Sequence, residues 1–173
     1  DSLNGFHGDR SRTFYVGTPS DETRHVVETA RECLTRGIAA VRPGGRIGDV
    51  GAAIQSYAEA RGCSVVRDFV GHGIGRGFHE EPQVPHYGEA GKGKRLREGM
   101  TFTIEPMINA GAPGVEIDPD DGWTARTVDG QLSAQFEHTL EVTADGVRVL
   151  TVQNDTGSWE PPGRCTLPGF DDG

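Results

Sequence analysis

Glycine constrains this chain more than any other residue: 26 of 173 positions, about twice the usual share. The glycines gather in turns and in the run Gly71-His72-Gly73-Ile74-Gly75-Arg76-Gly77, which reads as a loop too glycine-rich for a regular element. Asn4-Gly5 between Leu3 and Phe6 is a two-residue hairpin signal, because a type I′ turn needs positive φ at both central positions. Its returning strand is expected from about His7 to Val16. Pro19-Ser20 opens a helical pattern with Val26, Val27, Ala30, Cys33, Leu34, Ile38 and Val41 on one apolar stripe, ended by Pro43-Gly44-Gly45. A second helix places Val50, Ala53, Ile54, Tyr57 and Ala58 on one face and stops at Gly62.

Short strands follow. Ser64-Val65-Val66-Arg67 is expected to lead into the glycine run, and Gly88 to Lys94 is a polar turn region. From Met100 to Glu105 the chain alternates, with Thr101, Thr103 and Glu105 on one face and Phe102 and Ile104 on the other, until Pro106 ends donation to a ladder. Asp118-Pro119-Asp120-Asp121-Gly122 and Asp129-Gly130 are turn signals. An alternating strand from Leu132 to Val142 and another from Val147 to Thr151 complete the pattern. Two helices with several antiparallel hairpins and no repeat give an α+β chain. Residues 1–153 read as one domain, and the Pro-, Gly- and Asp-rich stretch 154–173 as a disordered tail.

Seventeen Lys and Arg against 26 Asp and Glu give a net charge of −9, which argues against a nucleic-acid or anionic-membrane binder. No run approaches a membrane span, the start DSLNGFHGDR is too polar for a signal peptide, and three scattered cysteines suit a reducing compartment, so the expected location is cytoplasmic. The chain opens at Asp1 in what reads as mid-hairpin, as a fragment would.

Several cheap motifs fail. His79-Glu80-Glu81-Pro82 is not HExxH, since the second His is missing and Pro82 would break the required helix. The glycine run is neither GxGxxG nor a phosphate-binding loop, no GxSxG elbow exists, and Asn154-Asp155-Thr156 is a chance sequon. Asp9, His72, Glu105 and Glu137 resist dismissal. Taken singly, each would be an ordinary solvent-facing residue, but Glu105 and Glu137 interrupt strongly patterned strands, and a buried carboxylate needs a partner charge or a metal. Three carboxylates and an imidazole suit Mn, Fe, Co or Zn better than a thiolate site would.

Spacing alone does not bring these side chains together. Gly71 to Pro82, Thr101-Phe102-Thr103-Ile104-Glu105-Pro106-Met107 and Ser133-Ala134-Gln135-Phe136-Glu137-His138-Thr139, supported by Asn4 to Asp9 and Asp121-Gly122-Trp123, resemble the type I methionine aminopeptidases. The short interval from His72 to Glu105 leaves no room for the insertion of the type II enzymes.

That resemblance implies a pita-bread fold, here its C-terminal half, around a two-metal site. Asp9, His72, Glu105 and Glu137 match metal ligands, with Asp9 and Glu137 bridging both ions. The family's other Asp ligand would fall before Asp1. Asp1 is no substitute, because the hairpin register sets it opposite Gly8, facing away from the side that carries Asp9. One metal would thus keep its protein ligands and the other be weakly held. Glu105 matches the general base and His79 the histidine on the scissile carbonyl, while Phe78 and Trp123 match walls of the methionine pocket. His7, His25, His86 and His138 match no catalytic position, and Glu80 and Glu81 read as loop charges. The implied activity is removal of initiator methionine from nascent chains by metal-activated water, near the ribosome. Two alternatives stay open: a catalytically inactive, metal-free pita-bread module that binds peptides or partners, and a proline-specific aminopeptidase, against which the Gly71–Pro82 run and Trp123 argue.

Overall fold

The computed structural model describes residues 2–152, so the expected tail and Cys165 lie outside the described residues. Strands β1 (Ser2–Leu3) and β2 (Phe6–His7) form the N-terminal hairpin. Leu3 pairs with Phe6, and Asn4 and Gly5 take φ of 53° and 79°, the two positive values that the turn requires. The returning strand ends at His7 rather than Val16. Residues 8–16 form no regular element and are held by isolated bonds, including Glu137 N–H to the Ser11 carbonyl and the Thr13 hydroxyl to the Gln135 carbonyl, instead of a continuous ladder.

Helix α1 (Asp21–Ala39) starts where Ser20 Oγ accepts the Thr23 N–H, and Asp21 and Glu22 sit in its first, electropositive turn. All the apolar stripe residues from Val26 to Ile38 are buried, as is Val41 beyond the helix end. Helix α2 (Ile47–Ala60) buries Val50, Ile54 and Ala58. At its start the Asp49 carboxylate accepts the Arg46 and Gly91 N–H groups at 2.8 and 2.7 Å, which holds its pKa below the ordinary value. The helices pack on one another, and α1 also covers strands of both central sheets.

The remaining strands are β3 (Ser64–Val65), β4 (Gly71–Gly73), β5 (Glu80–Val84), β6 (Thr101–Ile104), β7 (Met107–Asn109), β8 (Val115–Ile117), β9 (Ala125–Thr127), β10 (Ser133–Gln135), β11 (His138–Val142) and β12 (Val147–Val149). They form a five-stranded sheet in the order β12-β11-β6-β4-β5, a three-stranded sheet β10-β7-β3 and the β8-β9 hairpin, all antiparallel. Phe102, Ile104, Ile108 and Leu140 fill the core beneath them.

Three expectations change. The glycine run is not all loop: Gly71–Gly73 is a strand, and glycine is needed there because neighbours come too close for a side chain. A Cβ on Gly71 would lie 2.4 Å from the Thr103 oxygen, and one on Gly73 2.2 Å from the Glu81 oxygen. Glu80 and Glu81 accordingly belong to β5 rather than a loop. The expected strand Leu132–Val142 is two strands in different sheets, parted at Phe136-Glu137. Among the described residues, Cys33 and Cys63 are free and buried, and no helix is long and apolar enough to cross a membrane.

Candidate metal centre

Both key glutamates lie where a strand leaves one sheet for the other. Strand β6 of the five-stranded sheet continues as β7 of the three-stranded one, and β10 continues as β11 in the opposite sense. Gln135 pairs with Met107 and His138 with Ile104, so one register spans the gap and sets Glu137 opposite Glu105. Like charges directly opposed across strands repel. Here they are also partly or wholly sequestered from water, Glu137 retaining only 5% exposure.

Asp9, from the extended segment after β2, and His72, from β4, close on this pair. Asp9, His72 and Glu137 each present a ligand atom within 4.8 Å of the other two. Glu105 Oε1 lies 3.5 Å from His72 Nε2. The four residues expected from the sequence therefore converge, three in a tight group and Glu105 beside it. His72 Nδ1 is 3.0 Å from the Gly73 carbonyl, which can only accept, so Nδ1 donates and Nε2 is the ring nitrogen turned toward Glu105 and placed for a ligand bond.

Burial pushes the Glu137 carboxyl up to about 8, with the Glu105 and Asp9 charges adding to the rise and Ser11 opposing it. Burial likewise raises Glu105 to about 7, against a hydrogen bond from Thr103. Glu137 Oε1 is buried with no hydrogen-bond partner among the described residues. An orphaned oxygen, opposed carboxyls and a free imidazole nitrogen fit a divalent cation of the borderline class.

The surroundings hold these groups in place. Glu105 N–H donates to His86 Nε2 at 3.0 Å, and burial drives the His86 pKa down to about 3, so the ring is neutral and can accept. Gln135 Nε2 donates to the Glu105 carbonyl at 3.3 Å. His79 stacks edge-on against His72 with centroids 4.3 Å apart, and Phe78 touches both rings. A cavity of about 520 Å³ opens beside them, lined by Phe69, Val70 and Met107 with His72, His79 and Glu105 among its polar walls.

Phe78 and Trp123, expected as walls of the methionine pocket, do not line this cavity. Phe78 packs against the histidines, and Trp123 stands 87% exposed on the β8-β9 turn. The apolar wall of this cavity comes from Phe69, Val70 and Met107, none of which was expected there. His86, expected to hold no catalytic position, supports the Glu105 backbone; Gln135 was missed as a contact of Glu105, and its place two residues before Glu137 was the only signal for it.

Comparison with known proteins agrees with this geometry. The model of metallopeptidase family M24 matches residues 2–144. Methionine aminopeptidase A of Synechocystis is 66% identical over 150 residues, covering 87% of this chain, and the Rickettsia prowazekii methionine aminopeptidase is 50% identical over the same share. This chain spans 59% and 58% of those relatives' lengths. The crystal structure of the Rickettsia enzyme superposes with a TM-score of 0.84 over 85% of this chain and 59% of that one. Prolidase from Pyrococcus furiosus aligns with a TM-score of 0.65 at 26% identity, over 87% and 39% of the two chains. The α+β architecture is thus of the pita-bread type, and the chain belongs to metallopeptidase family M24.

Proposed function

We propose that this chain carries the catalytic centre of a type I methionine aminopeptidase, which removes the N-terminal methionine of peptides and nascent proteins. The observation that carries the reading is the convergence of Asp9, His72, Glu105 and Glu137, with the Glu137 Oε1 atom left without a hydrogen-bond partner among the described residues. Those four residues would hold divalent cobalt, manganese, iron or zinc. Such an ion, when bound, supplies Lewis acidity and lowers the pKa of water toward neutrality.

The chain's own residues do the rest. Glu105, at the cavity wall with its carboxyl raised to about 7, takes a proton from the attacking water and returns it to the leaving amine. His79, exposed at the cavity, donates a hydrogen bond to the scissile carbonyl as negative charge builds on its oxygen. Phe69, Val70 and Met107 enclose an unbranched apolar side chain and exclude water from it. Residues 1–153 form the metallopeptidase domain in this reading, which acts in the cytoplasm on chains emerging from the ribosome.

A metal-free binding module is disfavoured, because it has no use for the orphaned Glu137 oxygen. The 66% identity to a methionine aminopeptidase, against 26% to a prolidase, supports methionine over proline specificity. The test is release of free methionine from Met-Gly and Met-Ala peptides, compared with X-Pro peptides, across added Mn²⁺ and Co²⁺. Metal-dependent release of methionine, abolished in a folded Glu105→Gln variant, is expected. Cleavage of X-Pro peptides alone, or full turnover by that variant, overturns the reading.

A further inference from the structure

Thr103 and Thr139 are Cα partners on β6 and β11, one step down the ladder from the opposed Glu105 and Glu137. Strand alternation puts each threonine on the face of the glutamate two residues away. Both are buried, at 0% and 3% exposure. A hydroxyl has one proton to give and two lone pairs. Paired threonines on adjacent strands ordinarily spend these on each other. Here both protons go elsewhere.

Thr103 Oγ1 donates to Glu105 Oε1 at 2.8 Å and accepts the His72 N–H at 3.0 Å. One hydroxyl thereby couples the carboxylate of Glu105 to the backbone of His72, itself 31 residues before Thr103 in sequence. Thr139 Oγ1 donates to the Asp9 carbonyl at 2.8 Å and accepts the Asp9 N–H at 2.9 Å. Asp9 lies outside any strand, so this two-way clamp does for it what a ladder does for a strand residue. The β-branch of threonine restricts χ1 and so fixes where each hydroxyl points.

We propose that Thr103 and Thr139 are the positioning residues of the centre: the β6–β11 ladder sets the ligand spacing, and the two hydroxyls transmit it to His72, Glu105 and Asp9. The inference rests on the metal reading given above, and its test separates the two. Thr103→Val and Thr139→Val keep the shape and remove the hydroxyls; Thr103→Ser and Thr139→Ser keep the hydroxyls. Each purified chain is titrated with Mn²⁺ by calorimetry and with Co²⁺ by visible absorption, with circular dichroism reporting the fold. The valine variants are expected to bind Mn²⁺ about 10- to 100-fold more weakly and to alter the Co²⁺ spectrum, as loss of a ligand's hydrogen-bond support does. The serine variants are expected to stay within about threefold of the parent, on the same hydrogen-bond argument. Parental affinity in both valine variants, or equal loss in the serine variants, overturns the proposal, and the serine comparison stands even where a valine variant fails to fold. A parent chain that takes up no Mn²⁺ removes the metal reading, and the positioning proposal with it.

Discussion

Glu137→Gln should stabilise the metal-free protein. The Glu137 carboxyl is held up to about 8, chiefly by burial and then by Glu105 and Asp9, whereas the unfolded chain releases its proton near 4.5. A carboxyl raised on folding binds its proton more tightly in the native state, so stability is greatest below 4.5 and falls as pH climbs toward 8. At pH 7 the interval from 4.5, taken at 1.36 kcal/mol per pH unit, amounts to about 3 kcal/mol of lost stability. Glutamine is neutral at every pH and escapes that loss, while its amide donors, buried where Ser11 Oγ and Glu137 Oε1 have no hydrogen-bond partner among the described residues, cost about 1 kcal/mol. The net gain is about 2 kcal/mol at pH 7. Urea denaturation in chelator at pH 5 and pH 8 measures it. The variant should exceed the parent at pH 8, with a margin that nearly vanishes at pH 5. Saturating Mn²⁺ should reverse the order, because only the parent gains full ligand linkage. A variant less stable than the parent at pH 8 in chelator, or a margin that does not change with pH, would show that the opposed carboxyls carry no such strain.

Two further substitutions test the scaffold. Gly73→Ala places a Cβ 2.2 Å from the Glu81 carbonyl oxygen, a backbone atom that cannot yield without parting β4 from β5, so urea denaturation should show a loss of about 3 kcal/mol; an unchanged midpoint refutes the close approach. Asp49→Ala strips the acceptor from the Arg46 and Gly91 N–H groups at the start of α2 and should cost about 1 kcal/mol in the same assay, with no pH-dependent loss left around the Asp49 titration.

Much of the fold was legible in residue pattern. The apolar stripe of α1 is buried as its spacing predicts, Ser20 caps it, and Asn4-Gly5 makes the expected turn. What failed was the reading of glycine as a loop former. A glycine in a strand is favoured when another backbone comes within reach of its missing Cβ, and that neighbour, Thr103 or Glu81, is not local in sequence. The four converging residues stood out in the residue pattern, but spacing alone did not bring them together; only the resemblance did. Phe69 and Val70 carry no motif, and Met107 only closes the one around Glu105: apolar side chains beside a cavity look the same in sequence as apolar side chains in a core.

The two glutamates differ in how visible their position was, and the reason is the ladder. Where β6 gives way to β7, Pro106 announces the break, because proline cannot donate. Where β10 gives way to β11, Phe136-Glu137 contains no breaker, and alternation runs straight through. The break there is imposed from across the gap, since the shared register makes Phe136 and Glu137 face Pro106 and Glu105. Freed from the ladder, backbone donors must find other acceptors: Glu105 N–H goes to His86 and Glu137 N–H to the Ser11 carbonyl. Those substitutes bring the loop after β5 and the segment after β2 against the site, and with the latter comes Asp9. A single interruption in strand pairing therefore makes the space for the centre, opposes its two glutamates and recruits the segment that carries its aspartate.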